Sequence, residues 1–254
     1  MSALHPAAAP HPLTTLRRAR RVSQLELGLR AGVSQRHLSC IETGRARPTR
    51  ATLLALLDAL DAPLAERNAA LLAAGLAPQY SQHGLQDAAL APARQALDAM
   101  LQAPGAAPAL VLDADWNLLM ANAGVMRLLD LLELPMPEQA NLLDWLLQPM
   151  GLRQRLLNEA EVCGELLHRA AREAVHAPAL AERLARLREH LPAWEIAPGG
   201  NGPLLFTRLR SRVGELRLFS MFSSFGAPLD VTLASLRIEH LFPADAATAA
   251  ALQS

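Results

Sequence analysis

Hydrophobic residues in the first third of the chain recur at helical spacing, in short runs that each end at a clear stop signal. From residue 13 to about residue 76 this pattern predicts several short helices. A stretch rich in glycine, proline and polar residues over 75–84 predicts a linker, and a second helical run covers 85–101. Residues 1–12 contain proline, alanine and histidine and predict a disordered lead-in.

The pattern changes beyond residue 105, where short apolar runs replace the helical spacing. Runs over 109–113 and 116–120 flank a turn that contains aspartate and predict two strands. Asn122 is a suitable cap for a helix over 123–132. Residues 142–190 then show a mostly helical pattern. Helices and strands are therefore mixed in this part of the chain.

Three further strands are predicted beyond a cluster of glycine and proline over 198–203. They cover 204–210, 215–222 and 230–236, and their alternation predicts an antiparallel sheet that is half-exposed or lines a pocket. The predicted organisation is a lead-in over 1–12, a helical domain over 13–76, a linker with a connecting helix over 77–104, and an α+β domain over 105–254.

The charge distribution adds a candidate binding surface to this picture. All 24 basic residues are arginine, and the net charge of zero hides two opposite halves. Residues 13–50 hold nine arginines and two acidic residues, a balance of +7. Residues 81–254 hold 14 arginines and 19 acidic residues, a balance of −5. A basic segment on an acidic body predicts a local surface that binds an anionic partner.

Several function classes are disfavoured by what the sequence lacks. Cys40 and Cys163 are too few and too far apart for a zinc site or a disulfide framework, so we expect no metal. No catalytic motif such as a phosphate loop or HExxH is present, so we expect neither catalytic residues nor an enzyme. No secretory signal and no uninterrupted apolar stretch of about 18 residues are found, so we expect a cytoplasmic protein without a membrane span.

Two short helices joined by a tight turn carry the most specific signal in the chain. Ser23 and Ser34 are suitable N-caps, and Gly32 supplies the positive φ that ends the first helix. This arrangement is typical of a helix-turn-helix, whose second helix enters the major groove of DNA. The side chains predicted to form the core between the two helices are Leu25, Leu29, Val33, Leu38 and Ile41.

The opposite face of the second helix carries polar side chains that suit base edges. Glutamine pairs with adenine and arginine with guanine, so Gln35, Arg36, Ser39 and Cys40 are the candidate groove residues. The candidate phosphate contacts are Gln24, Arg45 and Arg47. Two alternatives remain open: a helical bundle with a solvated basic face, and a redox switch at Cys40 in place of an apolar contact.

This segment resembles the Cro/repressor-type (XRE) helix-turn-helix family. The residues that carry the resemblance are Ser23-Gln24-x-Glu26-Leu27, Ala31-Gly32-Val33-Ser34, Leu38-Ser39-x-Ile41-Glu42-x-Gly44-Arg45 and Pro48. The resemblance implies a five-helix repressor-like domain in which Gln35 and Arg36 contact bases and Gln24 contacts a phosphate. Gly28 departs from the family, which usually has alanine there.

From residue 85 onward the chain resembles the MmyB-like regulator domain. The carrying residues are Pro108-Ala-Leu-Val-Leu-Asp113-x-x-Trp116-Asn117-x-x-x-x-Ala121-Asn122 and Asn141-Leu142-Leu143-x-Trp145-Leu146. The resemblance implies a PAS-like α+β fold with a five-stranded antiparallel sheet, helices on one face and an apolar cavity. It also implies a small apolar ligand, such as a fatty acid or a related metabolite, and no other cofactor.

Aromatic and methionine side chains in the α+β domain are candidates for an adaptable cavity lining, and a few polar groups are candidates to orient a ligand. The candidate ligand-binding residues are Trp116, Met120, Asn122, Trp145, His168, Arg172, Phe206, Phe219 and Met221. The alternatives are a plain core for the aromatic residues, a helix cap for Asn122 and a solvated position for His168.

These signals together favour a ligand-responsive transcriptional regulator that binds a duplex DNA operator as a homodimer. One alternative is a constitutive dimeric repressor whose second domain is purely structural. Another is a protein-interaction adaptor whose first domain has lost DNA binding, and such a protein would lack salt-dependent binding to DNA.

Overall fold

The computed structural model describes most of the chain. The described residues are 12–103, 105, 107–137, 140–148, 151–175, 177–191 and 203–253. The predicted lead-in lies outside them except for Pro12, which is the first residue of a helix. The described residues form two compact units: a head unit of 12–82 with 228–234, and a sheet unit of 83–227 with 235–253.

Five helices form the main part of the head unit. They are α1 (Pro12–Ala19), α2 (Gln24–Ala31), α3 (Gln35–Glu42), α4 (Arg50–Asp58) and α5 (Leu64–Ala73). Their shared core is apolar and contains, among others, Leu13, Leu27, Leu38, Ile41, Leu53, Leu56 and Leu71. Removing these leucine and isoleucine side chains from water stabilises the unit by about 1.5–3 kcal/mol each. The five predicted helices are thus confirmed.

The face that α2 turns to the core differs from the predicted one. Leu25 is 55% exposed and Leu29 is 76% exposed, so the prediction that both are core residues was wrong. Leu27 and Gly28 are buried instead. A Cβ atom placed on Gly28 would overlap the carbonyl oxygen of Val33, in the turn between α2 and α3. The glycine therefore permits this close approach and sets which face of α2 packs inward.

We expect Gly28→Ala to lower the stability of the head unit by about 1–3 kcal/mol, although alanine is the better helix former. The added methyl group must displace a backbone oxygen, which cannot rotate away as a flexible side chain can. Urea unfolding followed by circular dichroism measures the change. Gly84→Ala is the matched control, because a Cβ there meets nothing within 4 Å. An unchanged midpoint for Gly28→Ala would contradict the overlap.

The head unit also includes chain segments outside its five helices. The side-chain oxygen of Asn68 accepts hydrogen bonds from the backbone N–H groups of Gln79 and Tyr80 (3.0 and 3.1 Å). Further along the chain, the N–H group of Val231 donates to the carbonyl oxygen of Ser81 (2.8 Å). These bonds hold the segments 77–82 and 228–234 on the helical core.

The sheet unit alternates helices with the strands of a single sheet. Its helices are α6 (Ala91–Leu101), α7 (Ala123–Leu131), α8 (Leu142–Leu147), α9 (Glu159–Glu173), α10 (Pro178–Arg188) and α12 (Ala246–Gln253). A further helix, α11 (Val231–Ser235), precedes the last strand and belongs to the head unit except for its final residue. Short 3-10 helices lie at Ala88–Leu90 and Leu152–Arg155. The strands are β1 (Ala109–Leu112), β2 (Leu118–Ala121), β3 (Thr207–Ser211), β4 (Gly214–Ser223) and β5 (Arg237–Pro243).

The five strands form one antiparallel sheet in the order β2-β1-β5-β4-β3. In its register Leu110 lies opposite Glu239, and Phe222 lies opposite the same glutamate on the other side. A continuous apolar core joins the sheet to α7, α8, α9 and α10, and includes Leu110, Leu112, Leu129, Leu143, Leu166, Leu180 and Leu218. The predicted α+β fold class is confirmed.

The predicted strand over 230–236 was wrong, because most of this segment forms α11. The carboxylate of Asp230 accepts hydrogen bonds from the N–H groups of Thr232 (2.8 Å) and Leu233 (3.3 Å), as a helix cap does. The strand follows as β5 and begins and ends seven residues later than predicted. The strand predicted from residue 204 begins only at Thr207.

Candidate DNA-binding surface and ligand cavity

The turn between α2 and α3 is built by the residues that the sequence pattern singled out. Ser23 Oγ accepts a hydrogen bond from the N–H group of Glu26 (3.1 Å), and Ser34 Oγ accepts one from that of His37 (3.2 Å). Gly32 adopts a φ of 68° and ends α2. Each helix therefore starts and stops at a defined residue, and this fixes the direction of α3.

One face of α3 is open to solvent and carries polar groups of the kinds that bond to base edges. Gln35 and Arg36 are exposed, and Ser39 and Cys40 are half-buried beside them. Among the described residues, neither Gln35 nor Arg36 has a side-chain hydrogen-bond or ion-pair partner. Leu38 and Ile41 on the other side of the helix are fully buried. The amide and guanidinium groups are therefore free to bond to base edges.

The loop that follows α3 presents two more cations. Arg45 and Arg47 are exposed, and their side chains have no partner among the described residues. The backbone of the loop is held by hydrogen bonds from the N–H groups of Arg45 and Ala46 to the carbonyl oxygen of Cys40 (2.8 and 3.1 Å). Two exposed guanidinium groups on an ordered loop beside α3 suit neighbouring phosphates.

A buried ion pair connects three helices of the head unit through Glu42. Arg17 donates to both carboxylate oxygens of Glu42 (2.6 and 2.8 Å), and Gln24 Nε2 donates to one of them (2.7 Å). Burial favours a raised pKa for Glu42, but these hydrogen bonds and the charges of Arg17 and Arg18 hold its pKa below the usual range. Gln24, a predicted phosphate contact, therefore also has a structural role.

The two cysteines occupy different environments. Cys40 is a half-buried free thiol on α3. Cys163 is buried in α9, where desolvation and the nearby Glu159 charge raise its pKa to about 11. A thiol with such a pKa is almost entirely protonated at neutral pH and is a poor nucleophile. Cys163 therefore packs as a small apolar side chain.

The sheet unit encloses a cavity of about 450 Å³ between the sheet and the helices α7, α8 and α9. This volume lies in the range of small-molecule sites. Most of the lining is apolar and includes Leu110, Val125, Leu128, Leu129, Leu142, Leu146, Val162, Leu166, Leu209, Leu218 and Leu241. Its polar lining residues are Glu165, Arg169, Arg172, Thr207, Ser220 and Glu239. The cavity can take an apolar molecule that carries a small polar group.

The candidate ligand-binding residues divide into three groups in the structure. Trp145, Arg172 and Phe219 line the cavity. Met120 and Asn122 instead line a separate cleft beside the start of α7, and the remaining four, Trp116, His168, Phe206 and Met221, line neither space. The structure therefore brings only part of the predicted set together.

Trp116 and Asn122 have identifiable structural roles. The indole ring of Trp116 is completely buried, and its Nε1 donates to Glu173 (2.6 Å). The side-chain oxygen of Asn122 accepts from the N–H groups of Val125 (3.1 Å) and Ala109 (3.0 Å), so it caps α7 and holds the start of β1. Both side chains stabilise the frame around the cavity.

Of the other candidates that do not line the cavity, His168 and Met221 lie on outward-facing surfaces and Phe206 is half-buried. His168 is exposed on α9, and Met221 is 54% exposed on β4. Phe206 packs edge-on against the ring of Phe219, with 6.5 Å between ring centroids. Phe219 stacks in turn on Phe242 of β5 at 5.7 Å.

Three charged residues at the cavity were missed by the sequence analysis, namely Glu165, Arg169 and Glu239. The spacing of Val162, Leu166 and Arg169 along α9 places them on one helix face, and that signal was available in the sequence. Glu239 gave no comparable signal, because it lies in the strand that was predicted too early. Glu239 follows Arg169 by 70 residues in the sequence, and the two side chains come close only in the folded chain.

Comparison with known families also divides the chain into an N-terminal and a C-terminal part. Residues 11–70 match a family model described as a helix-turn-helix domain. Residues 93–254, well over half of the chain, match the model described as the MmyB-like transcription regulator ligand binding domain. No curated protein matches the chain. Among the described residues, no helix combines the length and apolarity needed to cross a bilayer.

Proposed function

The chain belongs to the family of MmyB-like transcription regulators and carries a helix-turn-helix domain, and from this premise we propose that it is a sequence-specific regulator controlled by a small apolar ligand. The observation that supports the proposal is that one chain contains both a polar face on α3 without hydrogen-bond partners and, in a separate unit, an apolar cavity of about 450 Å³. The two matched domains, a helix-turn-helix domain and a ligand-binding domain, are those of a transcription regulator.

In this proposal the head unit places α3 in the major groove of duplex DNA. Gln35, Arg36, Ser39 and Cys40 contact base edges, while Gln24, Arg45 and Arg47 bind phosphates. One head unit of this size covers a single half-site, so the regulator acts as a homodimer on a two-fold operator. We place this activity in the bacterial cytoplasm.

The ligand of the sheet unit is a small, largely apolar molecule, such as a fatty acid or a related metabolite. The apolar lining favours its chain, and Trp145, Arg172 and Phe219 contact it. The ligand regulates DNA binding only if its affinity differs between the states that do and do not bind the operator. Native mass spectrometry of the purified protein, followed by denaturation, identifies any molecule that co-purifies.

The ligand experiment also separates this proposal from its main alternative, a constitutive dimeric repressor with a structural second domain. A cavity that stays empty, together with operator affinity that no lipid extract alters, would support the constitutive repressor. A released apolar molecule that changes operator affinity when it is added back would support the sensor.

We expect Arg36→Ala to weaken binding to the selected operator by about 1–3 kcal/mol and to relax base preference at one position of each half-site. The guanidinium group is exposed and unpartnered on α3, so its loss removes a base contact without disturbing the fold. In vitro selection first defines the operator, and fluorescence anisotropy at fixed salt concentration then measures affinity.

Arg186→Ala is the matched control for this prediction, because Arg186 is exposed on α10 of the sheet unit. It removes the same charge from the protein at a distance in sequence from the helix-turn-helix. If both variants lowered affinity equally and uniformly across sequences, Arg36 would be a general electrostatic contact and not a base-reading one.

A further inference from the structure

The cationic residues of the cavity wall lie together in the second half of α9. Val162, Glu165 and Leu166 line the cavity from the first part of the helix, and Arg169 and Arg172 line it from the second. The sheet adds Ser220 and Glu239 close to Arg169. The cavity therefore has an apolar body and one polar end, where a head group would lie.

The guanidinium group of Arg169 at this end is held in place by aromatic rings. It lies 4.6 Å from the ring centroid of Trp116 and 4.5 Å from that of Phe222. Burial lowers the pKa of Arg169, but arginine stays protonated in proteins at neutral pH. The cavity wall therefore contains a cation with a fixed position.

The hydrogen-bonding capacity of Arg169 and Glu239 is incompletely used. The buried Nε atom of Arg169 has no hydrogen-bond partner, and neither has the buried Oε2 atom of Glu239. The closest approach of the pair, from Nη2 to Oε2, is 3.9 Å, which is too long for a hydrogen bond. Glu239 is nevertheless buried, with a side chain only 9% exposed, and its other oxygen accepts from Ser220 Oγ (2.7 Å).

The remaining charges around this end are balanced. Arg237 donates to both oxygens of Glu173 (2.7 Å each), so this second, half-buried pair is neutral as a whole. Arg172 and Glu165 lie on exposed positions of α9 and also carry opposite charges. The polar end thus has no excess positive charge to offset an anionic head group, and it contains an underused donor next to an underused acceptor.

We propose that the ligand is a neutral amphiphile with an apolar chain and a carboxamide head group, whose carbonyl oxygen accepts from Arg169 and whose N–H group donates to Glu239. This inference rests on the proposed function, which assigns the cavity to a fatty acid or a related metabolite, and it selects a related amide in place of the fatty acid itself. A carboxylate satisfies Arg169 but brings a second negative charge against the buried Glu239, where the low dielectric makes like-charge repulsion costly. An amide satisfies both groups at once.

The three probes of the test have the same chain length and differ in their head group. The cavity of about 450 Å³ lies in the size range of small-molecule sites. Dodecanamide, with a chain of twelve carbons, is the carboxamide probe, and dodecanoate and 1-dodecanol are its partners.

The experiment compares these three probes on the full chain after bound lipid has been removed. Competition followed by native mass spectrometry at pH 8, where dodecanoate is ionised, measures their relative affinities. We expect dodecanamide to bind at least about tenfold more tightly than dodecanoate. In Glu239→Gln the repulsion is removed, so the ratio should fall towards one or reverse, while Glu215→Gln at an exposed ion pair should leave it unchanged.

The outcomes separate failure of this inference from failure of the proposed function. If dodecanoate binds the unmodified chain as tightly as dodecanamide or more tightly, the carboxamide assignment is overturned and the ligand cavity stands. If none of the three probes binds, the ligand function of the cavity is overturned as well. If Glu239→Gln does not fold, the wild-type ratio alone decides.

Discussion

Replacing Glu42 by alanine is expected to destabilise the head unit by about 3–5 kcal/mol, because it leaves the buried guanidinium group of Arg17 without its carboxylate. The side chains of Glu42 and Arg17 are only 4% and 11% exposed, so water does not replace the lost partner. The change also removes the acceptor of Gln24 Nε2. Urea unfolding of the full chain, followed at the transition of the head unit, measures the loss.

Glu26→Ala is the matched control for Glu42→Ala in the same unit. Glu26 forms an ion pair with Arg30 one helical turn away, and both side chains are about half exposed. Exposed pairs of this kind contribute only about 0.3–0.5 kcal/mol, so the control should change stability little. Similar losses in the two variants would show that the Arg17–Glu42 pair is no stronger than a surface pair.

The pH dependence gives an independent measure of the same pair. The pKa of Glu42 in the folded head unit lies below its ordinary value of 4.5, so on acidification the unfolded chain takes up the proton first. The stabilisation by Glu42 is therefore complete above pH 4.5 and is lost as the pH falls through the lowered pKa. The stability difference between the wild-type chain and Glu42→Ala should accordingly shrink on acidification below pH 4.5.

The helix-turn-helix could be predicted almost completely from the sequence because its signals are local. Ser23, Gly32 and Ser34 act on backbone groups within four residues of themselves, so their roles follow from neighbouring positions alone. The wrongly predicted faces of Leu25 and Leu29 show the limit of periodicity. Which face of α2 turns inward depends on the close approach permitted by Gly28, and this approach is a tertiary feature.

The polar end of the cavity was beyond prediction because its contacts join distant parts of the chain. Arg169 and Glu239 meet only after α9 and β5 have packed together. The strand that contains Glu239 was also predicted too early, because the segment capped by Asp230 forms a helix. Trp116 was a candidate ligand residue because the sequence alone does not distinguish an aromatic residue in the core from one that lines a cavity. The resemblance to a known family supplied the existence of the cavity, while its chemistry required the structure.

We expect Trp116→Ala to destabilise the sheet unit by about 3–5 kcal/mol, the usual loss for a large buried aromatic side chain. The indole ring is completely buried and lies 4.6 Å from the guanidinium groups of both Arg169 and Arg237. Its removal leaves a void and also releases one of the two rings that hold Arg169. Chemical unfolding measures the stability, and dodecanamide affinity measures the effect on the polar end.

Trp116→Phe separates the contribution of the ring from that of the indole N–H group. Phenylalanine retains an aromatic face for the two guanidinium groups and loses only the hydrogen bond to Glu173 together with part of the packing. We expect this variant to lose about 1–2 kcal/mol and to retain most of the probe affinity. If Trp116→Phe lost as much stability and affinity as Trp116→Ala, the hydrogen bond to Glu173 would be the main anchor, and the stacking of Arg169 on Trp116 would contribute little to the position of its guanidinium group.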